Sequence, residues 1–405
     1  MLRTVVKNFS ILSVGEVGSK VFTFAAMVYL VRILGVEGFG KISFAQAFVS
    51  YFVLLVIFGF DTIGVREISK NNSGASKYMN NITTLRFIIS VVGYLLLCGI
   101  ISWVNKPVDT KMVVLSYGLI LFPTVFSLDW YFQGFERMNF IAILKLLRSS
   151  FLVFLLFLFV RTSKDTILAA LMEVGSAMVV VFISFYYLKK NFHSFSFEID
   201  CSFCKQLIKE SLPVALISFM VTIYYNLDIL MLGVFKDDTV VGLYSAAYRI
   251  ILLGIIPITL WLYAFTPLLC KQQLDYRTLL NFIGFNLLIG IIVSFTIFIT
   301  AKYTIKFLYG EKFSDAVNVL QILSIVPFMA AMAGSFANPL TLWGFQFKHL
   351  LAVSAGACTN FLLNILFIPK YGMVGAAAAT IAAELSVAMV GSYIILFSLR
   401  KRKEL

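Results

Sequence analysis

Charge is scarce in this 405-residue chain: 13% of its residues are Asp, Glu, Lys or Arg, against 60% hydrophobic, and the mean hydropathy is +0.94. A water-soluble domain cannot be built from such a ratio, because too little polar surface is left to face solvent. Histidine is rarer still, at two residues, and cysteine stands at five. Those numbers exclude a disulfide framework and leave little for a metal centre. Cys98, Cys270 and Cys358 fall in apolar runs and read as small packing residues. Cys201 and Cys204 form a C-x-x-C, but a zinc site wants a second pair, and His193 is the one nearby histidine. No metal or other cofactor is therefore expected. Long polar loops are also missing, so there is no place for a soluble catalytic domain.

What fills the chain is apolar sequence. A membrane helix needs about 20 such residues to cross a hydrocarbon core ~30 Å thick. About twelve runs qualify on that length: 8–33, 40–60, 81–103, 112–132, 140–160, 166–188, 211–234, 241–268, 278–301, 318–343, 349–368 and 373–398. The first has no small-residue cleavage site and leads straight into further helices, so it is not expected to be a removable signal. The fold class is all-α and polytopic.

The net charge of +13 points to lipid rather than to nucleic acid. With the N-terminus in the cytoplasm and twelve spans alternating, roughly twenty of the 33 Lys and Arg fall on the cytoplasmic side. The tail Arg400–Lys403 and the stretch holding Arg66, Lys70, Lys77 and Arg86 contribute most, and are expected to meet anionic headgroups. A compact basic face, which nucleic acid requires, is missing. Both termini are thus expected in the cytoplasm.

The longest polar connection, Lys189 to Glu210, lies near mid-chain and separates six spans from six. Faint matches join the halves. Leu34-Gly35, Gly40, Ser43 and Ala45 parallel Leu232-Gly233, Gly242, Ser245 and Ala247; Pro123 parallels Pro327; Gly134-Phe135-Glu136 parallels Gly344-Phe345-Gln346. The expected organisation is a six-helix bundle at 1–190, a cytoplasmic linker at 191–210, a second bundle at 211–398 and a basic tail at 399–405. Even-numbered repeats enter from the same side, and transporters built this way bind substrate between the repeats.

Ionisable groups inside spans cost about 2.5–3.5 kcal/mol each at the bilayer centre, so those that persist face a cavity or a partner. Glu16 and Lys20 are four apart on one helix face, either a self-neutralising pair or a polar stripe on a cavity wall. Lys20 would lie ~17 Å deep and Arg249 ~13 Å deep at 1.5 Å per residue. Arg249 has no acid at helical spacing; Asp228 is its expected partner. Glu384 stands among small residues, Glu173 is shallower, and Asp129 is set aside because Trp130 and Tyr131 read as an interfacial belt. Cations in a lumen would suit a phosphate, and buried carboxyls could carry protons. Pro123, Pro257, Pro327 and Pro339 lie inside spans, as hinges or static bends.

Several ordered motifs resemble one family. Arg32 to Gly40 (RILGVEGFG), Gly64 to Ile68 (GVREI), Asp129 to Glu136 (DWYFQGFE), Asp228 to Gly233 (DILMLG) and Tyr371 to Ala376 (YGMVGA) are similar to segments of the Wzx-type polysaccharide flippases. The resemblance implies a MATE-like fold of two six-helix bundles in a bacterial inner membrane. It implies transfer of an undecaprenyl-pyrophosphate-linked oligosaccharide, such as an O-antigen unit, from the cytoplasmic to the periplasmic leaflet. Lys20, Arg66 and Arg249 are the cationic candidates for substrate, and Glu16, Glu173, Asp228 and Glu384 the candidates for ion coupling. Implied partners are the lipid-linked substrate, membrane lipids, a polysaccharide polymerase and a chain-length regulator. The alternatives are a cation-coupled multidrug exporter on the same fold, or a membrane polysaccharide polymerase or ligase; an enzyme is disfavoured because the outer loops are all short.

Overall fold

The computed structural model describes the backbone of residues 2–191, 195–269, 276–343 and 345–403, and most side chains between 15 and 395. His193, Cys270 and Gly344 lie outside the described residues. No strand occurs among those described. The helices run α1 (Leu2–Ile57), α2 (Phe60–Lys70), α3 (Ala75–Trp103), α4 (Val108–Gly118), α5 (Leu121–Val125), α6 (Asp129–Gly134), α7 (Met138–Phe159) and α8 (Thr166–Asn191). They continue as α9 (Cys201–Phe235), α10 (Asp238–Leu269), α11 (Tyr276–Tyr309), α12 (Ala316–Leu323), α13 (Val326–Leu342) and α14 (Gln346–Lys403).

Among the described residues, 10 helical stretches are long and apolar enough to cross a bilayer. Two of them, Gly15–Lys70 and Gln346–Ile395, are 56 and 50 residues long, far beyond what one crossing needs. Loops were expected at 34–39 and 369–372. Instead, helical structure runs on through one glycine in each: Gly35 at φ 70°, ψ −173° and Gly372 at φ 55°, ψ −131°. A side chain at such angles is strained, so glycine is what permits so abrupt a corner. Large apolar side chains point outward along the spans, as on Leu95, Phe295 and Phe307. That is the surface a bilayer covers, and the molecule is a multi-pass membrane protein.

The chain forms two compact units, Met1–Phe219 and Met220–Leu405. In the first, α1 packs along α7 and also meets α3, α4 and α8. In the second, α13 packs against α14 and α11. Among the described residues, each unit holds a span that breaks near a proline. In the first the break falls at Leu119–Ile120, before Pro123, and again at Phe126–Leu128; in the second it falls at Ser324–Ile325, before Pro327. Proline lacks an N–H and crowds the carbonyl four residues back, which here is Leu119 or Leu323. Pro257 and Pro339, by contrast, lie within continuous helix.

Trp130 and Tyr131 do not form an interfacial belt. They are 2% and 0% exposed, in a core with Phe60, Ile68, Met79 and Phe132. The short α6 turns these rings inward onto α2, where Gly64 leaves room: a Cβ there would lie 2.2 Å from Trp130 Cε3. Gly64→Ala should therefore destabilise the protein by about 1–3 kcal/mol through overpacking. Ala at Gly99, where nothing lies within 4 Å, should not. Thermal unfolding of the two variants in the same detergent checks this.

Candidate functional site

Inside the first unit is a cavity of about 570 Å³. Its wall carries four acids, Glu16, Asp61, Asp129 and Glu173, and three bases, Arg86, Lys145 and Arg148, with Ser50, Tyr117, Thr124 and Ser127 among the neutral groups. Each base is held by an acid. Lys145 Nζ donates to Glu16 Oε2 at 2.8 Å, Arg148 to Glu173 Oε1 at 3.3 Å, and Arg86 to Asp61 Oδ1 at 2.5 Å. Arg86 is 1% exposed. It also donates to the Ser127 carbonyl at 3.4 Å, which the helix break leaves free, while its Nε has no partner. Arg86 is thus no lipid anchor. It enters on α3 well inside the bundle, because that helix starts at Ala75, six residues before the expected span.

Of the residues singled out in the sequence, Glu16 and Glu173 line this cavity. So does Asp129, which sequence reasoning set aside. Lys20 stands beside it, 3.8 Å from Glu16 but with its side chain 56% exposed, and Arg66 bonds Glu67 at 2.6 Å and Glu210 at 2.5 Å. Arg86, Lys145 and Arg148 were missed. The signal existed for the last two: they are three apart, seven and ten residues into an otherwise apolar helix.

The second unit buries Asp228, which is 3% exposed. The hydrogen bonds seen at Asp228 among the described residues come from groups other than Arg249, its expected partner. Four uncharged donors surround the carboxylate. Tyr244 Oη and Thr380 Oγ1 donate to Oδ2 at 2.6 and 2.5 Å, and Asn360 and Asn364 Nδ2 donate to Oδ1 at 2.9 and 2.6 Å. Asn364 Oδ1, wholly buried beside them, accepts nothing. A buried carboxylate normally demands a counter-charge. Here it has neutral dipoles, plus a spare carbonyl oxygen that could face a cation. Glu384, four residues beyond Thr380 on α14, lines a separate cavity of about 280 Å³ with Tyr224, Asn286 and His349. Arg249 lies within electrostatic reach of Tyr309.

Among the described residues, no cluster of three or more His, Cys, Asp or Glu is arranged to hold a metal ion. Cys204 is buried and bonds Asn81 Oδ1 at 3.5 Å, while Cys201 is exposed.

Residues 5–272 match the family described as polysaccharide biosynthesis protein, a stretch that takes in all but the first four residues of the first unit and the α9–α10 segment bearing Asp228 and Tyr244. The chain belongs to that family. A relative in Escherichia coli (strain K12), named a putative O-antigen transporter, is 23% identical over 402 residues, covering 96% of each chain. A probable flippase AglR of Haloferax volcanii is 25% identical over 368 residues, covering 87% of this chain and 75% of the relative. Both are named for transport rather than for catalysis. An inward-facing multidrug resistance MATE transporter of the MOP superfamily superposes with a TM-score of 0.74 at 15% identity, covering 95% of this chain and 96% of the other. This polysaccharide biosynthesis protein therefore has a MATE-like fold.

Proposed function

We propose that the protein is a flippase carrying an undecaprenyl-pyrophosphate-linked oligosaccharide, an O-antigen unit or a similar repeat, from the cytoplasmic to the periplasmic leaflet. The observation that carries this reading is the ionised cavity of the first unit in a chain of this family. Three cations at membrane depth, each held by a carboxylate, can exchange that carboxylate for a phosphate oxygen. Guanidinium matches phosphate with two parallel hydrogen bonds, and the exchange trades one charge-assisted contact for another, so it costs little. The substrate's charge is thereby carried while its lipid tail stays in hydrocarbon. Arg86, with an unused Nε, and the neighbouring Lys145 and Arg148 are the proposed headgroup ligands, with Lys20 extending the same stripe. Arg66 and Arg249 are proposed to act outside this cavity.

If α1 and α14 each cross twice at their glycine corners, the chain crosses twelve times and both termini share the cytoplasmic face of the inner membrane. Asp228 is proposed as the coupling site, its cage of Asn, Thr and Tyr oxygens taking a monovalent cation or a proton. Glu384 is a second coupling candidate.

The test uses proteoliposomes loaded with an undecaprenyl-pyrophosphate-linked oligosaccharide and an impermeant glycosidase outside. The protein should expose the inner-leaflet half of the substrate within minutes. Digestion halting at the outer half, with protein as without it, would refute the reading.

A further inference from the structure

The segment 195–200, between α8 and α9, has no regular secondary structure and is fastened onto the first unit at two points. On α3, two buried amides face it. Asn80 Nδ2 donates to Ser196 Oγ at 2.8 Å and Asn80 Oδ1 accepts from Ser196 N at 3.2 Å. Four residues along, Asn81 Oδ1 accepts from Asp200 N at 2.8 Å. Lys77 closes the second point with an ion pair to Asp200 at 2.9 Å, which holds that carboxyl below its usual range. These side chains supply hydrogen-bond partners to a backbone that has none from regular secondary structure. A gap of about 440 Å³ lies beside the segment, lined by Glu198, Ile199 and Asp200 and by Ser76, Lys77, Asn80 and Asn81 of α3. Hydrogen bonds bordering such a gap can be exchanged for water as they break, so little opposes release.

The segment also reaches the cavity wall. The Phe195 ring lies 4.8 Å from that of Phe197, 5.6 Å from Phe185 and 6.5 Å from Phe126. Phe126 lines the cavity and sits in the second break of the fourth span, next to Ser127, whose carbonyl takes the Arg86 hydrogen bond. At the break Phe126 N and Ser127 N donate to the carbonyls three residues back, Pro123 at 3.1 Å and Thr124 at 3.2 Å, in place of α-helical bonds, and the aromatic contact adds to that looser hold.

We propose that residues 195–200 are a latch. Fastened, it presses Phe195 on Phe126 and holds the break at 126–128, and with it the Arg86 end of the cavity, in one arrangement. Released, it lets the break relax and opens that end to water. The latch acts on the wall rather than on the cargo, so it stands or falls apart from the identity of the substrate.

Hydrogen–deuterium exchange on the protein in lipid nanodiscs tests it. Phe195→Ala removes the ring, and Asp200→Asn removes the Lys77 ion pair while keeping an acceptor for the Phe203 N–H, which Asp200 Oδ1 now caps at 3.0 Å. Exchange across 119–128 should rise at least tenfold in the first variant and severalfold in the second. A cysteine placed at Ser127 should react correspondingly faster with an impermeant maleimide, read on its own peptide. Loosening confined to 195–204, with 119–128 and the Ser127→Cys rate unchanged, would overturn the latch and leave a linker that merely lies on the surface. Should Phe195→Ala fold poorly, Asp200→Asn alone decides, because its change lies on the exposed side of the segment.

Discussion

Asp61→Asn is expected to cost the protein about 3 kcal/mol of stability, far more than a surface ion pair is worth. The asymmetry of the pair sets the size. Asp61 is 41% exposed to the cavity and would lose little by becoming neutral, but Arg86 is 1% exposed and would keep a full charge with only neutral acceptors, the new amide oxygen and the Ser127 carbonyl. The exposed partner calls for a discount, which places the value at the low end of the range for broken buried pairs. Replacing both, as Asp61→Asn with Arg86→Gln, should recover much of the loss, since no charge is then stranded. A double-mutant cycle on detergent-solubilised protein measures the coupling. Additive losses would mean that the two groups do not act as a pair.

Asp228→Asn should leave the protein folded and slow gradient-driven flipping at least 100-fold. The cage can absorb the amide, because the Tyr244 and Thr380 hydroxyls can turn to accept as well as donate. What the amide cannot replace is the negative charge, and a hundredfold corresponds to about 2.7 kcal/mol, modest for removing a buried charge from a cation. Asn364→Leu keeps the charge but removes the unused Oδ1 together with the Nδ2 that donates to Asp228 at 2.6 Å, so it should weaken the dependence on the driving cation less than Asp228→Asn does. Rates measured in proteoliposomes under sodium and under proton gradients separate the two cations. A wild-type rate in Asp228→Asn under both would remove this residue from coupling.

The helical, membrane-spanning character of the chain was legible because apolar length is a local property. The breaks were half legible: Pro123 and Pro327 mark where two spans are interrupted, yet nothing in the sequence says that Gly35 and Gly372 turn corners without a loop. The site was harder to read. A scan for charges inside spans found Glu16, Glu173, Asp228 and Glu384, but it passed over Arg86, Lys145 and Arg148, although all three fall within the spans drawn at 81–103 and 140–160. Each of the three has its partner on another helix, 25 or 129 residues away, so no local spacing marks it as a member of a pair. Asp228 was found and its partners were not. Asparagine and threonine carry no charge to attract notice, and Asn360, Asn364 and Thr380 lie more than 130 residues away in sequence.

The Arg86–Asp61 pair also bears on how the chain is made. The two residues are 25 apart, on consecutive segments, and the carboxylate leaves the ribosome first. A lone guanidinium would resist leaving the translocon for lipid by about 2.5–3.5 kcal/mol, whereas a neutralised couple would not. Partitioning of α3 into the bilayer therefore waits on α2, and the two enter as a hairpin whose charges already cancel.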